Sequence, residues 1–448
     1  MSKSSAPDVF ESHGTKHVDG VEKHNLSSLL EKHEQTVPDG IPWFFATLIF
    51  INALIGAGIL NFPYSIHAAG GIIIAICVQL VMAVMLYFSV STMVWCSHIC
   101  KSSFYQDTVF EYLGSPGRYL CSFLMLIYCY LLTTTYLVAI GQQLGAGMRV
   151  VFGHNHYWFS SEPFLLVVVG VLFVIPFCLV KSIDKLHYAS AVASAAVLLV
   201  AVIVIYEYYN IDHGPVALKE KPAKWSHIFL SIPAYAIAYM FDLTSVAVYG
   251  RLQRRTVGNF MKSAAAAMCS VFVFYNVFAG YAYMTFGNKI KPNFMSNYDQ
   301  GTWVIALAQF AYSFKLCLEY PIYQFIGWTA IQTFVKGFSR SQSLEDPVEG
   351  VDKLRLVTSI FWFFSTFTIS LFAPSINYVL PLVSATVLHF QFTFPGLCLL
   401  RALTFLSDYF SAVKICLLRV YSSILIVVGL CLSAVLVWQY FAEERHVQ

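Results

Sequence analysis

The chain has 448 residues, of which 58% are hydrophobic and 11% are charged, and its formal net charge is +3. Soluble globular domains carry charge on about a quarter of their residues. This composition therefore excludes an ordinary soluble domain and indicates an integral membrane protein. The basic residues are spread over the segments between apolar runs, so they inform membrane topology and not nucleic-acid binding.

Eleven segments are long and apolar enough to cross the hydrocarbon core, which requires about 20 residues. The alternating pattern of a membrane β-barrel does not occur, so the spans are predicted to be helices and the protein to be all-α. They run near residues 42–66, 71–98, 117–145, 163–180, 187–207, 226–250, 263–286, 302–333, 353–373, 376–400 and 417–441.

The distribution of lysine and arginine predicts a cytoplasmic N-terminus. With that orientation 19 of the 27 basic residues lie on the cytoplasmic side and 7 on the other, while Lys315 lies within a span. The predicted regions are a flexible cytoplasmic tail (1–41), long enough to dock a partner, a membrane-embedded core of spans one to ten (42–401), and an eleventh span with a short exofacial or luminal C-terminus (402–448).

Spans one to five and six to ten form two halves of similar length, which predicts a five-plus-five inverted repeat with broken helices one and six. In span one the run N-A-L-I-G-A-G-I-L-N-F-P (52–63) weakens the helix at Gly56, Ala57 and Gly58. In span six a proline precedes Asp242, Thr244 and Ser245 amid apolar residues.

Unwound backbone inside a membrane is tolerated where it lines a cavity or meets a ligand. Two half-helices offer N–H groups to a carboxylate and C=O groups to a cation or an ammonium group, which together match an amino acid zwitterion. The alternative is that Gly56, Ala57 and Gly58 form a small-residue surface for close helix packing. Asn52 and Asn61, which are unfavourable in lipid, favour the polar cavity, and Tyr239 is a further candidate for lining it.

Ionisable residues within spans are candidate functional groups because they are costly in lipid. Asp242 has no ionic partner within a turn of its helix, so it must find one across the bundle, stay protonated or hold a cation. Lys315 and Glu319 are four residues apart and either neutralise each other or let Glu319 take part in ion coupling. His389 is interpreted as a neutral, hydrogen-bonded core residue.

The sequence contains no nucleophile elbow, phosphate loop, zinc signature or nucleotide-binding domain, which argues against an enzyme and against an ATP-driven pump. Three classes remain. The first is a secondary active transporter that works by alternating access, the second is a membrane-embedded amino acid sensor that binds without net transport, and the third is an ion channel.

Several motifs resemble the amino acid/auxin permease family, and within it the sodium-coupled neutral amino acid transporters, especially the glutamine-handling branch. They occur in order along the chain: the 52–63 run followed by A-A-G-G, Y-Q (105–106), Y-L-V-A-I-G-Q-Q (136–143), H-Y-A-S (187–190), M-T-F-G (284–287), Y-P (320–321) and F-P-G-L-C-L (394–399).

The resemblance implies symport of a small neutral amino acid such as glutamine, with a co-transported sodium ion or proton, in the plasma or lysosomal membrane. It implies that Asn52 contributes to sodium and substrate binding and that the backbone of Gly56, Ala57 and Gly58 receives the substrate carboxylate. Two departures from the family pattern bear on the ion and on the substrate. Cys317, Leu318 and Glu319 precede the span-eight proline where relatives carry a hydroxyl residue that contributes to the sodium site. Asp242 stands where close relatives carry histidine, which implies either a changed substrate class, such as a cationic amino acid, or a proton-coupling site.

Overall fold

The computed structural model of the protein describes residues 35–36, 40–152, 158–178, 183–210, 216–219, 221–222, 225–298, 302–335, 351–372, 376–407 and 410–447. Nearly all of these residues are helical. Most of the predicted tail, including residues 1–34, lies outside the described residues.

The helices divide the chain as follows, with two short strands on the N-terminal side of α1 and between α8 and α9. They are α1 (Trp43–Leu54), α2 (Phe62–Ala69), α3 (Ile72–Cys100), α4 (Tyr105–Phe152), α5 (Glu162–Cys178), α6 (Ile183–Asn210), α7 (Ile232–Ala238), α8 (Asp242–Gly250), α9 (Val257–Phe286), α10 (Trp303–Val335), α11 (Val351–Phe372), α12 (Ile376–Leu388), α13 (Phe394–Phe405) and α14 (Ala412–Val447), with β1 (Gln35–Thr36) and β2 (Arg254–Arg255). A π turn, His389–Thr393, joins α12 to α13.

Eight segments of the described chain are long and apolar enough to cross a membrane, which agrees with an all-α membrane protein. They are Ile72–Cys100, Tyr105–Phe152, Val192–Asn210, His227–Gly250, Val257–Lys289, Leu354–Phe372, Val379–Phe405 and Ala412–Phe441. The other three predicted spans fall on α1 with α2, on α5, and on α10. The first is interrupted, α5 is short, and α10 buries several polar side chains, among them Gln309, Lys315 and Glu319.

The bundle is built around α4 and α10, which pack against each other along much of their length. Helix α6 packs on α10, α1 packs on α9, and α7 packs against both α12 and the turn that follows α1. Large apolar side chains such as Val81, Phe361 and Leu417 are exposed on the outside, as expected of surfaces that face lipid. The polar residues are instead concentrated in the interior, where the two predicted breaks lie.

Backbone pairing joins the chain just before α1 to the loop after α8. Strand β1 pairs antiparallel with β2. Ile41 N–H donates to the Arg251 carbonyl at 2.8 Å, and Gln253 N–H donates to the Ile41 carbonyl at 2.9 Å. The N-terminal end of the first broken span and the C-terminal end of the second are thereby held together by main-chain hydrogen bonds.

Gly40 permits this pairing because a Cβ atom there would lie 2.5 Å from the Gln253 Cα. Gly40→Ala should therefore separate residues 40–41 from residues 251–253 and expose this loop to protease. The measurement is the rate of trypsin cleavage after Arg254 in the purified protein. Gly258→Ala is the matched control, since a Cβ at Gly258 meets no atom within 4 Å. Equal cleavage rates in the two variants would contradict the role given to Gly40.

Candidate functional site

The first predicted span is broken. Helix α1 makes its last helical hydrogen bond from Ile55 N–H to the Ile51 carbonyl, at 3.0 Å. Gly56 then adopts extended dihedral angles, φ −107° and ψ −152°. A single 3₁₀ turn, Ala57–Leu60, follows before α2 begins at Phe62. The irregular backbone lies where two glycines flank an alanine, as the sequence predicts.

The two glycines of this break have different surroundings. A Cβ at Gly58 would lie 3.3 Å from the Ala238 backbone nitrogen, so Gly58 allows close packing against α7. A Cβ at Gly56 would have as its nearest neighbour the Ala53 carbonyl oxygen, at 4.0 Å, which is an ordinary van der Waals distance. The packing interpretation thus describes Gly58, whereas Gly56 is not in such close contact with another helix.

The sixth predicted span is also broken, beside the first. A 3₁₀ segment, Trp225–Ser231, leads into α7, which ends at Ala238, and α8 begins only at Asp242. Residues 239–241 between them are not helical. Because Gly58 packs on Ala238, the irregular backbone of the two spans is adjacent in the folded protein.

Two of the predicted site residues have hydrogen-bond partners on other helices. The Asn52 side-chain oxygen accepts a hydrogen bond from the Ser194 hydroxyl of α6. The Tyr239 hydroxyl accepts a hydrogen bond from the Gln79 amide at 2.7 Å, and the Gln79 oxygen in turn accepts one from Asn276 at 2.8 Å. Asn52, which precedes the first break, and Tyr239, which lies in the second, are thus hydrogen-bonded to neighbouring helices.

Asp242 is 2% exposed at the first position of α8. Its Oδ1 atom has no hydrogen-bond partner among the described residues. The start of a helix carries partial positive charge, which favours a carboxylate there but does not by itself satisfy the oxygen. A buried, unpaired acid of this kind requires a proton or a cation.

Lys315 and Glu319 form an ion pair with an N–O distance of 2.7 Å inside the bundle. The pairing predicted from their spacing is confirmed.

The sequence analysis missed four polar residues that contact the breaks or their partners. Tyr275 donates to the Leu54 carbonyl at 3.0 Å, and the Gln391 amide donates to the Ala236 carbonyl at 2.8 Å. Gln79 and Asn276 form the chain that ends on Tyr239. Amide side chains within apolar spans were the available signal, because they require partners in lipid.

His389 makes a 3.2 Å contact from Nδ1 to the Thr393 hydroxyl, which agrees with the interpretation as a hydrogen-bonded core residue. No group of three or more metal-ligating side chains occurs within the part of the chain that the structure describes.

The overall fold is shared with a solved membrane protein. The structure of MhsT in complex with L-phenylalanine superposes with a TM-score of 0.52 at 12% sequence identity, covering 89% of this chain and 98% of that one. At this identity the likeness establishes the fold alone.

The family is established by sequence. A family model described as transmembrane amino acid transporter protein matches residues 39–442, so the chain belongs to this family of transporters, which are not enzymes. Similar proteins include sodium-coupled neutral amino acid transporter 7 of Danio rerio, 25% identical over 364 residues (80% of this chain and 78% of that protein). The Homo sapiens protein of the same name is 26% identical over 363 residues, with the same two coverages. Solute carrier family 38 member 8 of Homo sapiens is 24% identical over 424 residues (91% and 97%).

The different surroundings of Gly56 and Gly58 predict different effects of adding one methyl group. Gly58→Ala should lower the melting temperature of the purified protein, since the Ala238 backbone would have to move by a few tenths of an ångström. Gly56→Ala should leave it within about 1 °C of the wild type because no atom is close enough to clash. A larger loss of stability in Gly56→Ala than in Gly58→Ala would contradict this assignment.

The Lys315–Glu319 pair predicts non-additive effects on stability. Lys315→Met alone should destabilise the protein by about 3–5 kcal/mol, since it leaves the buried Glu319 carboxylate without its ammonium partner. The double variant Lys315→Met, Glu319→Gln should be closer to the wild type, as no buried charge then remains unpaired. The measurement is a double-mutant cycle on thermal unfolding in detergent. Simple additivity of the two substitutions would argue against a coupled pair.

Proposed function

We propose that this protein is a secondary active transporter that moves a small neutral amino acid, such as glutamine, together with a cation by alternating access. The observation that carries the proposal is the adjacency of two broken membrane helices, with Gly58 of the first break packed on Ala238 beside the second. Membership of an amino acid transporter family supports it. In this proposal the eleven predicted spans form a five-plus-five inverted repeat, whose first helix in each half is broken.

The substrate site lies in this proposal between the two breaks. The N–H groups at the start of the turn Ala57–Leu60 have no carbonyl acceptor inside that turn. They are therefore suited to bind the substrate carboxylate. The Gly56 N–H already donates to the Leu54 carbonyl at 3.0 Å, so it is not offered to the substrate. The carbonyls of residues 239 and 240 are suited to the substrate ammonium group, whereas the Phe241 carbonyl already accepts hydrogen bonds from the Thr244 and Ser245 N–H groups.

The coupling ion is proposed to act through Asp242. Glu319 already has a cationic partner in Lys315 at 2.7 Å, which offsets the negative charge that would attract a further cation. Asp242 is buried with an unpaired Oδ1 in the described structure. The names of the relatives favour sodium as the ion. An unpaired acid is equally suited to a proton, so measurement decides between a sodium ion and a proton.

Asn52, one turn before the break, is proposed to hold the substrate and the ion.

The transporter is proposed to lie in the plasma membrane or the lysosomal membrane with a cytoplasmic N-terminus, which is supported by 19 basic residues on that side against 7 on the other. A cytoplasmic partner of the N-terminal tail forms part of the same proposal.

One observation favours a second candidate function, a membrane-embedded amino acid sensor. The tail pairs through Ile41 with the loop that follows the second broken span, so a change at the break can be transmitted to the tail. A sensor would bind an amino acid without accumulating it, which separates the two functions experimentally.

The test is uptake of labelled L-glutamine into proteoliposomes under an imposed sodium gradient or an imposed proton gradient. Accumulation driven by one gradient is expected, with Asn52→Ala lowering uptake at least about tenfold through loss of a buried polar contact. Asp242→Asn should abolish the dependence on the driving gradient, since the neutral amide neither releases a proton nor attracts a cation.

Glu207→Gln is the matched control for Asp242→Asn. Glu207 is also a buried carboxylate, 2% exposed, but it accepts a hydrogen bond from the Thr302 hydroxyl. Gradient-driven uptake should persist in Glu207→Gln. Uptake that responds to neither gradient would exclude coupled glutamine transport, and saturable binding without accumulation would favour the sensor.

A further inference from the structure

Tyr275 of α9 contacts both halves of the first broken span. Its hydroxyl donates a 3.0 Å hydrogen bond to the carbonyl of Leu54, the last residue of α1. Its ring stacks on Phe62, the first residue of α2, with centroids 4.4 Å apart and planes inclined by 11°. Both tyrosine and phenylalanine are fully buried. A single side chain therefore links the two ends of the irregular segment.

The hydrogen bond meets a need created by the break. Leu54 would ordinarily give its carbonyl to the next turn of helix, but the helix stops, and carbonyls at a helix end require partners inside a membrane. The Gly56 N–H supplies one partner at 3.0 Å, and the Tyr275 hydroxyl supplies a second. The first half-helix is in this way capped by a residue from a different span.

The stacking contact extends to the second break. Phe62 also packs on Tyr235 of α7, with centroids 5.3 Å apart and planes inclined by 60°. The aromatic group of Tyr275, Phe62 and Tyr235 thus fixes where α2 begins relative to α7. Since the hydroxyl of Tyr275 fixes where α1 ends, this residue sets the separation between Leu54 and Phe62.

We propose that Tyr275 is a positioning residue for the amino acid site, which acts by holding the ends of the two half-helices at the separation that the substrate requires. The inference rests on the proposed function, because the turn Ala57–Leu60 between those ends offers the N–H groups for the carboxylate. Removal of the hydroxyl should weaken substrate binding more than it affects the turnover of bound substrate.

Tyr283 supplies a matched control on the same helix. It is fully buried, and its hydroxyl accepts a 2.9 Å hydrogen bond from the Lys219 backbone N–H in the segment before α7. Tyr283→Phe thus removes one buried hydroxyl from α9, as Tyr275→Phe does, but away from Leu54 and Phe62.

The experiment is the concentration dependence of L-glutamine uptake in proteoliposomes of wild type, Tyr275→Phe and Tyr283→Phe, normalised to folded protein. Tyr275→Phe should raise KM about five- to tenfold, the factor that corresponds to one lost hydrogen bond, with a maximal rate within about twofold of wild type. Tyr283→Phe should leave KM unchanged. An unchanged KM in Tyr275→Phe, or an equal rise in both variants, would overturn the inference.

Two further measurements keep the inference open to refutation. If Tyr275→Phe is not recovered as folded protein, Phe62→Leu removes the stacking contact and retains the hydroxyl. A raised KM in that variant supports the positioning role, and an unchanged one overturns it.

If wild type takes up no glutamine, the proposed substrate fails independently of Tyr275. Hydrogen exchange of peptides covering residues 55–61 then tests the residue directly. Faster exchange in Tyr275→Phe than in Tyr283→Phe supports the inference, and equal exchange overturns it.

Discussion

The interior of this bundle depends on one constraint, which is that backbone unwound inside a membrane must find hydrogen-bond partners within the protein. The chain breaks two helices side by side and supplies partners from other spans. The Tyr275 hydroxyl bonds the Leu54 carbonyl, and the Gln391 amide bonds the Ala236 carbonyl. These two side chains give hydrogen-bond partners to backbone carbonyls beside both breaks.

The charged residues of the interior divide into a compensated pair and an isolated acid. Lys315 and Glu319 neutralise each other at 2.7 Å, so their charges need no external ion. Asp242 has an unpaired oxygen within the described bundle, at the first residue of the second half of its span. The contrast explains why the acid beside a break, rather than the acid in a pair, is the better candidate for coupling.

Outside the bundle core, main-chain pairing between the segment before α1 and the loop after α8 joins the two broken spans at one end. Ile41 both donates to Arg251 and accepts from Gln253, and Gly40 allows the close approach. Spans one and six also contact each other where Gly58 packs on Ala238. They are therefore held together at two places, at this contact and at the backbone pairing of Ile41. A displacement of one span is therefore expected to carry the other with it.

The sequence by itself determined the membrane-spanning, all-helical class and the positions of both breaks. Apolar runs leave helices as the available spanning structure, and the glycines at 56 and 58 and the residues around Asp242 interrupt them locally. It also placed Lys315 and Glu319 on one helix face, since residues four apart share a face, and left open whether they pair or Glu319 couples an ion. Only the tertiary structure decided that Lys315 and Glu319 form an ion pair, that Gly58 packs on Ala238, that Asp242 Oδ1 has no partner among the described residues, and that Tyr275 joins Leu54 to Phe62. Each of these contacts, or missing contacts, involves helices distant in sequence, and the packing of such helices is not encoded in any local pattern.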